Sequence, residues 1–103
     1  MKKFIVLYSG GSIPTTPEEG DASMKEWTKW FETLGASVSE VGAPFGNAKT
    51  VSGSGIQDGP SENVSNGYSI IEAENLGAAA KLVKSCPIIE EKGKIHVFEL
   101  IAM

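Results

Sequence analysis

Few residues in this chain have side chains that could do chemistry, and Asp58 leads them. It opens the run Asp58-Gly59-Pro60 at the head of a polar stretch. A carboxylate facing a cleft could act as a base or anchor a ligand. The plain alternative is a turn whose carboxylate accepts backbone N–H bonds. His96 is the one histidine, and with no cysteine or second histidine beside it, it makes a poor metal site. It reads as an interface or core residue. It becomes a titrating catalytic group only if it meets Asp58 or Glu72 across a dimer. Trp27 and Trp30 lie about 60° apart on one helix and could line an aromatic pocket, with Trp27 packing on the core and Trp30 more open. Tyr8, Ser9 and Tyr68 offer hydroxyls that would position a ligand at a cleft mouth.

Other chemistries find no support. Cys86 precedes Pro87 with no base in view, so it reads as a small buried residue. Gly10-Gly11-Ser12 follows a strand pattern, but no phosphate-loop lysine follows and Pro14 blocks the path into a helix. There are 13 acidic residues against 9 basic ones, for a net charge of −4. That balance argues against nucleic acid, which needs a basic stripe to neutralise phosphates. The chain has no arginine, so bidentate arginine recognition of phosphate or carboxylate is excluded. A single cysteine allows no internal disulfide and agrees with a reducing compartment. The apolar run Phe4–Tyr8 is too short for a signal peptide, and no stretch approaches a membrane span. The expectation is a cytoplasmic protein with no metal and no cofactor, off the membrane.

These groups must be held by a small set of elements. With 103 residues, 41% of them hydrophobic, the chain suits one domain with one core over 1–103. "KFIVLYS" reads as a strand, and the segment with prolines 14 and 17 as a loop. Asp21 or Ser23 caps a predicted helix through "MKEWTKWFETL", whose apolar stripe is Met24, Trp27, Phe31 and Leu34. Gly35 ends it. Two short strands flank a turn at Pro44-Phe45-Gly46-Asn47, and residues 53–67 read as a long loop. "YSIIEA" is a strand. "ENLGAAAKLVKS" is a helix with Asn75 as its cap and Pro87 closing it. "KIHVFELI" is the last strand. The order predicts an α+β, ferredoxin-like βαββαβ fold with an extra short strand, both helices lying on one face of the sheet.

The strands then carry an assembly argument. Side chains alternate along a strand. Phe4, Val6 and Tyr8 oppose Ile5 and Leu7, while Tyr68 and Ile70 oppose Ile71 and Ala73. Ile95, Val97 and Ile101 oppose His96, Phe98 and Leu100. Strands apolar on both faces are normally buried on both, yet the helices cover one. The other face would leave roughly several hundred Å² of apolar surface bare. A second copy's sheet is the simplest cover, giving a twofold homodimer.

The motifs "DGP", "GYSIIEAENLGAAAKLVKSCP", "MKKFIVLYSGG", "WTKWFETLG" and "GAPFGNAKTVSGSG", in that family's order and spacing, resemble the YCII-related (DGPF-domain) family along nearly the whole chain. The resemblance implies a dimeric α/β barrel. It also implies that some members are enzymes, through a histidine on the first helix beside an aspartate in a cleft. Here Ser61 replaces the motif's phenylalanine, and the first helix carries Trp27 and Trp30 but no histidine. That dyad therefore does not carry over. The leading expectation is a small-molecule-binding, enzyme-like protein whose cleft lies between the first helix, the Asp58 loop and the Tyr68 strand. The alternatives are a non-catalytic homodimeric module acting through protein partners, and a cofactor-independent oxygenase-like enzyme, the latter by fold analogy.

Overall fold

The β-branched and aromatic run after the first methionine forms β1 (Lys2–Ser9) in a computed structural model that describes residues 1–10, 15–59 and 65–102. Gly11 to Pro14, and the Pro60 and Ser61 positions of the motif, lie outside the described residues. Helix α1 (Pro17–Leu34) starts earlier than Asp21 or Ser23. Thr16 is the cap: its hydroxyl accepts from the Glu19 backbone N–H at 3.1 Å. The Glu19 carboxylate in turn accepts from the Thr15 backbone N–H and hydroxyl, at 2.8 and 2.9 Å. Pro17 fits the first turn because its missing N–H would have had no partner there. Those hydrogen bonds hold the Glu19 carboxyl below its ordinary value. Gly35, at a φ of 55°, ends the helix as expected and leads into a 3₁₀ turn, Gly35–Ser37.

Next come β2 (Val38–Pro44), β3 (Lys49–Ser52), β4 (Gly55–Asp58), β5 (Gly67–Ala73), α2 (Leu76–Val83), α3 (Pro87–Glu90) and β6 (Lys94–Glu99). One local expectation is corrected and another is sharpened. Both short strands flanking Pro44–Asn47 form, as β2 and β3, but they pair with other strands, and residues 53–67 are not all loop. Instead β3 pairs with β4 as a separate antiparallel ribbon with Ser52 opposite Gly55. The polar composition hid β4 because nothing buries it: all four of its residues are exposed. Pro87 does close α2's segment, but it also opens the short α3.

The main sheet has the order β2-β5-β1-β6, every neighbour antiparallel. Without the ribbon, this is the ferredoxin-like βαββαβ arrangement. Its helix-covered face carries the core. Phe4, Val6 and Ile71 are sealed from solvent beneath Trp30, Leu34, Ala79 and Val83. Asn75 caps α2, its side chain accepting from the Ala78 N–H at 2.8 Å. On the opposite face Ile5 stands between Ile70 and Phe98, and Leu7 between Tyr68 and His96. No element of the described chain covers them, and Phe98 is 55% exposed.

Candidate functional site

A cavity of about 550 Å³ opens where α1 crosses the β1–β5–β2 side of the sheet. That volume suits a small organic ligand. Its wall is built by local sequence rules. On α1 the spacing 24, 27, 28, 31 presents Met24, Trp27, Thr28 and Phe31 to it. From β1 and β5, alternation supplies Tyr8 and Ser69. Asn66, Ile88 and Glu91 complete the side nearest α3.

The far wall is a bulge. β2 steps from Glu40 to Ala43 while its partner β5 steps only from Ile70 to Tyr68. Gly42 lies within that step at a φ of 81°, and a Cβ there would fall 1.8 Å from the Tyr68 carbonyl oxygen. Only glycine fits so close to the neighbouring backbone. The bulge turns the Val41 carbonyl inward, where the Ser69 hydroxyl donates to it at 2.6 Å.

The aromatic rings interlock edge to face. Trp27 meets Tyr8 at 4.9 Å between centroids with an 88° interplanar angle, and meets Trp30 at 5.8 Å and 90°. Phe31 tilts against Trp27 at 6.0 Å. Beneath them the Tyr8 phenol donates to Ser69 Oγ at 2.7 Å. Burial pushes the Tyr8 phenol up to about 12, with the proximity of Cys86 adding to the rise, so it stays neutral across the physiological range. Burial likewise pushes the Cys86 thiol up to about 12, Glu91 adding to it, which makes it a poor nucleophile. Among the described residues no lysine or histidine lines the wall, and Glu91 is its one carboxylate.

The residues singled out from sequence separate into two groups. Tyr8, Trp27 and Tyr68 reach the wall. Tyr68 does so where β5 passes it, since alternation turns its ring to the opposite face. There its hydroxyl donates to Glu40 at 2.6 Å, which raises the Tyr68 phenol's pKa. Trp30 is absent from the wall. It is buried, and its indole N–H donates to Ser85 Oγ at 3.0 Å. The openness expected of Trp30 belongs to half-buried Trp27, because the stripe that packs is Trp27, Trp30, Phe31 and Leu34, while Met24 is 69% exposed at the cavity edge. Asp58 ends β4 with its side chain 91% exposed, paired with Lys49 Nζ at 2.6 Å. His96 lies exposed on the open face, opposite Leu7. Neither Asp58 nor His96 touches the cavity, and one copy of the chain does not bring them together.

Phe31 reads in the sequence only as part of the helix stripe, and Ser69, Asn66 and Glu91 do not stand out there. Ser69 had a signal: it is a lone hydroxyl on the apolar face shared with Ile71 and Ala73, and a buried hydroxyl needs a partner. Asn66 and Glu91 had none, because what brings them to the cavity is loop path.

No family model and no curated protein matches the chain. Among solved structures it is similar to 5-chloro-2-hydroxyhydroquinone dehydrochlorinase from Burkholderia phenoliruptrix AC1100 in complex with 2,5-dihydroxybenzoquinone. The TM-score is 0.58 at 18% identity, over 96% of this chain and 93% of that one. At that identity the likeness concerns the fold alone, an α+β arrangement of an antiparallel sheet and helices.

Proposed function

We propose that this chain is a YCII-like domain over residues 1–103 that binds a small aromatic molecule between α1 and the sheet. The observation that carries this is the cavity of about 550 Å³ walled by Tyr8, Trp27 and Phe31. Edge-to-face rings of this kind favour another ring by stacking as well as by area. The structural neighbour, whose bound molecule is a hydroxylated six-membered ring, supports a planar ring of that size as the kind of occupant. Catalysis on such a ligand would draw on Glu91, the one carboxylate on the described wall. A reacting role for Asp58 or His96 would require a second copy to bring them to a site.

The reading includes a homodimer formed through the open sheet face. The chain exposes 7469 Å², whereas a compact monomer of 10.9 kDa exposes about 5,600 Å². Its radius of gyration, 15.0 Å, also exceeds the ~13 Å of a compact chain this long. The reading takes the protein as cytoplasmic, in keeping with its single cysteine. A second reading, association with protein partners, is favoured by the ribbon, where the facing pair Val51 and Ile56 is exposed.

Fluorescence tests the binding reading. In a Trp30→Phe background, Trp27 reports on the cavity. Titration with hydroquinone should give saturable quenching, and Trp27→Phe should abolish that signal while calorimetry still detects binding. If neither hydroquinone nor related ring compounds give saturable binding at millimolar concentration, the proposal fails.

A further inference from the structure

The hydrogen bonds beneath the cavity have a direction, and a carbonyl sets it. The Val41 carbonyl oxygen can only accept. Ser69 has one hydroxyl proton and donates it to that carbonyl at 2.6 Å. Ser69 Oγ can therefore only accept from Tyr8, which stands 2.7 Å away and commits its own single proton there. Ser69 is fully shielded from water beneath the ring. What remains for an occupant of the cavity is the Tyr8 oxygen, with lone pairs free and no proton to give.

The other polar side chains of the wall include no cation. Asn66 spends one amide N–H on the Gly10 carbonyl at 2.7 Å and keeps its second N–H and its amide oxygen. The Glu91 carboxylate is acceptor only when ionised. The hydroxyls of Ser23 and Thr28 sit on α1 and can turn either way. No lysine or histidine lines the described wall. Residues 11–14 and 60–64 contain no cationic residue in sequence either. An anion entering here would lose water and meet the Glu91 carboxylate with no cationic side chain on the described wall to offset it.

Resting on the reading that the cavity binds an aromatic ring, we infer that it selects a neutral ring bearing an O–H or N–H donor, which it presents to the Tyr8 oxygen. Acceptor-only rings and ionised rings are rejected. The selectivity comes from the Tyr8–Ser69–Val41 relay, so removing the relay's middle member should reverse it. Without Ser69 Oγ, the Tyr8 proton is freed and can be offered to the ligand.

The test compares four probes by calorimetry on the full chain: hydroquinone, 4-phenylenediamine, 1,4-dimethoxybenzene and 2,5-dihydroxybenzoquinone, the last ionised at neutral pH. The first two are expected to bind about tenfold tighter than the dimethoxy ring, the typical effect of one matched hydrogen bond over a stranded acceptor, and the ionised quinone weakest. The two donors, compared with each other, separate hydroxyl from amine selection. Ser69→Ala should shrink or invert the ratio of hydroquinone to dimethoxybenzene. Should Ser69→Ala fold poorly, Tyr8→Phe should bring hydroquinone down to the dimethoxy level. Equal or tighter binding of the dimethoxy or ionised ring by the wild type would overturn the inference and leave the binding proposal standing. So would an unchanged ratio in Tyr8→Phe. Binding of none of the four would remove both.

Discussion

The two faces of one sheet are treated very differently in this protein. Phe4 and Ile5 are adjacent, both apolar and both in β1. Phe4 is fully buried under the helices, whereas Ile5 faces outward between Ile70 and Phe98. The covered face is closed by rings, and among the described residues no buried side-chain nitrogen or oxygen lacks a partner. The open face is equally apolar at its centre but has no cover among the described residues. Alternation makes each strand two-sided; the number of helices decides how many sides are covered.

The largest expected effect sharpens that contrast. Phe4→Ala should lower stability by about 3–5 kcal/mol. Ile5→Ala should cost only about 1–2 kcal/mol in dilute protein. If a second copy covers the open face, the Ile5→Ala penalty will grow with protein concentration, and denaturant melts across a concentration series check this. Equal penalties at every concentration would erase the contrast. Next in size, Phe98→Glu should weaken self-association by at least about 100-fold, roughly 3 kcal/mol. Sedimentation velocity would then show a smaller species with unchanged circular dichroism. A wild type that sediments as a monomer at micromolar concentration would break the dimer reading outright.

The covered face should also show itself in alkali. Tyr8 rises from an ordinary 10.0 to about 12 and Cys86 from 9.0 to about 12, both through burial. The folded protein therefore holds these protons more tightly than the unfolded chain. Their contribution is complete below about pH 9 and is lost as pH climbs through the window to about 12, with a slope that follows the difference in bound protons. A loss of several kcal/mol, roughly 7 at most, is expected across that window, and Cys86→Ala should move its onset toward pH 10. Chemical denaturation between pH 8 and 11 (roughly the accessible range) measures it. The smallest effect belongs to the ribbon. Asp58→Ala should change stability by less than about 0.5 kcal/mol, since exposed ion pairs contribute little. It should also leave hydroquinone affinity unchanged; a large loss of affinity would place Asp58 at the site after all.

Much of this was legible along the chain. Strands β1, β5 and β6 announced themselves by β-branched runs, and α2 by its Asn75 cap. The two-faced character of the sheet followed from alternation alone. The start of α1 was missed because Pro14 and Pro17 suggested loop, while the Thr16-to-Glu19 capping pair three residues apart was overlooked. Strand β4 was missed because its side chains bury nothing, so the sequence carries no apolar alternation there. The cavity was half legible: Tyr8 and Trp27 were chosen for their chemistry, whereas Asp58 was chosen for a motif and stands on an exposed ribbon.

Local sequence settled the periodicities, the caps and the apolar character of both sheet faces, because each depends on residues a few positions apart. Which tryptophan meets the cavity, how the β2 bulge turns the Val41 carbonyl inward, and which way the Tyr8–Ser69 hydrogen bond points were decided only in three dimensions. Those features arise where β1, β2, β5 and α1 converge, bringing together residues up to 61 positions apart, as Tyr8 and Ser69 are. No local pattern records which partner such a group will find.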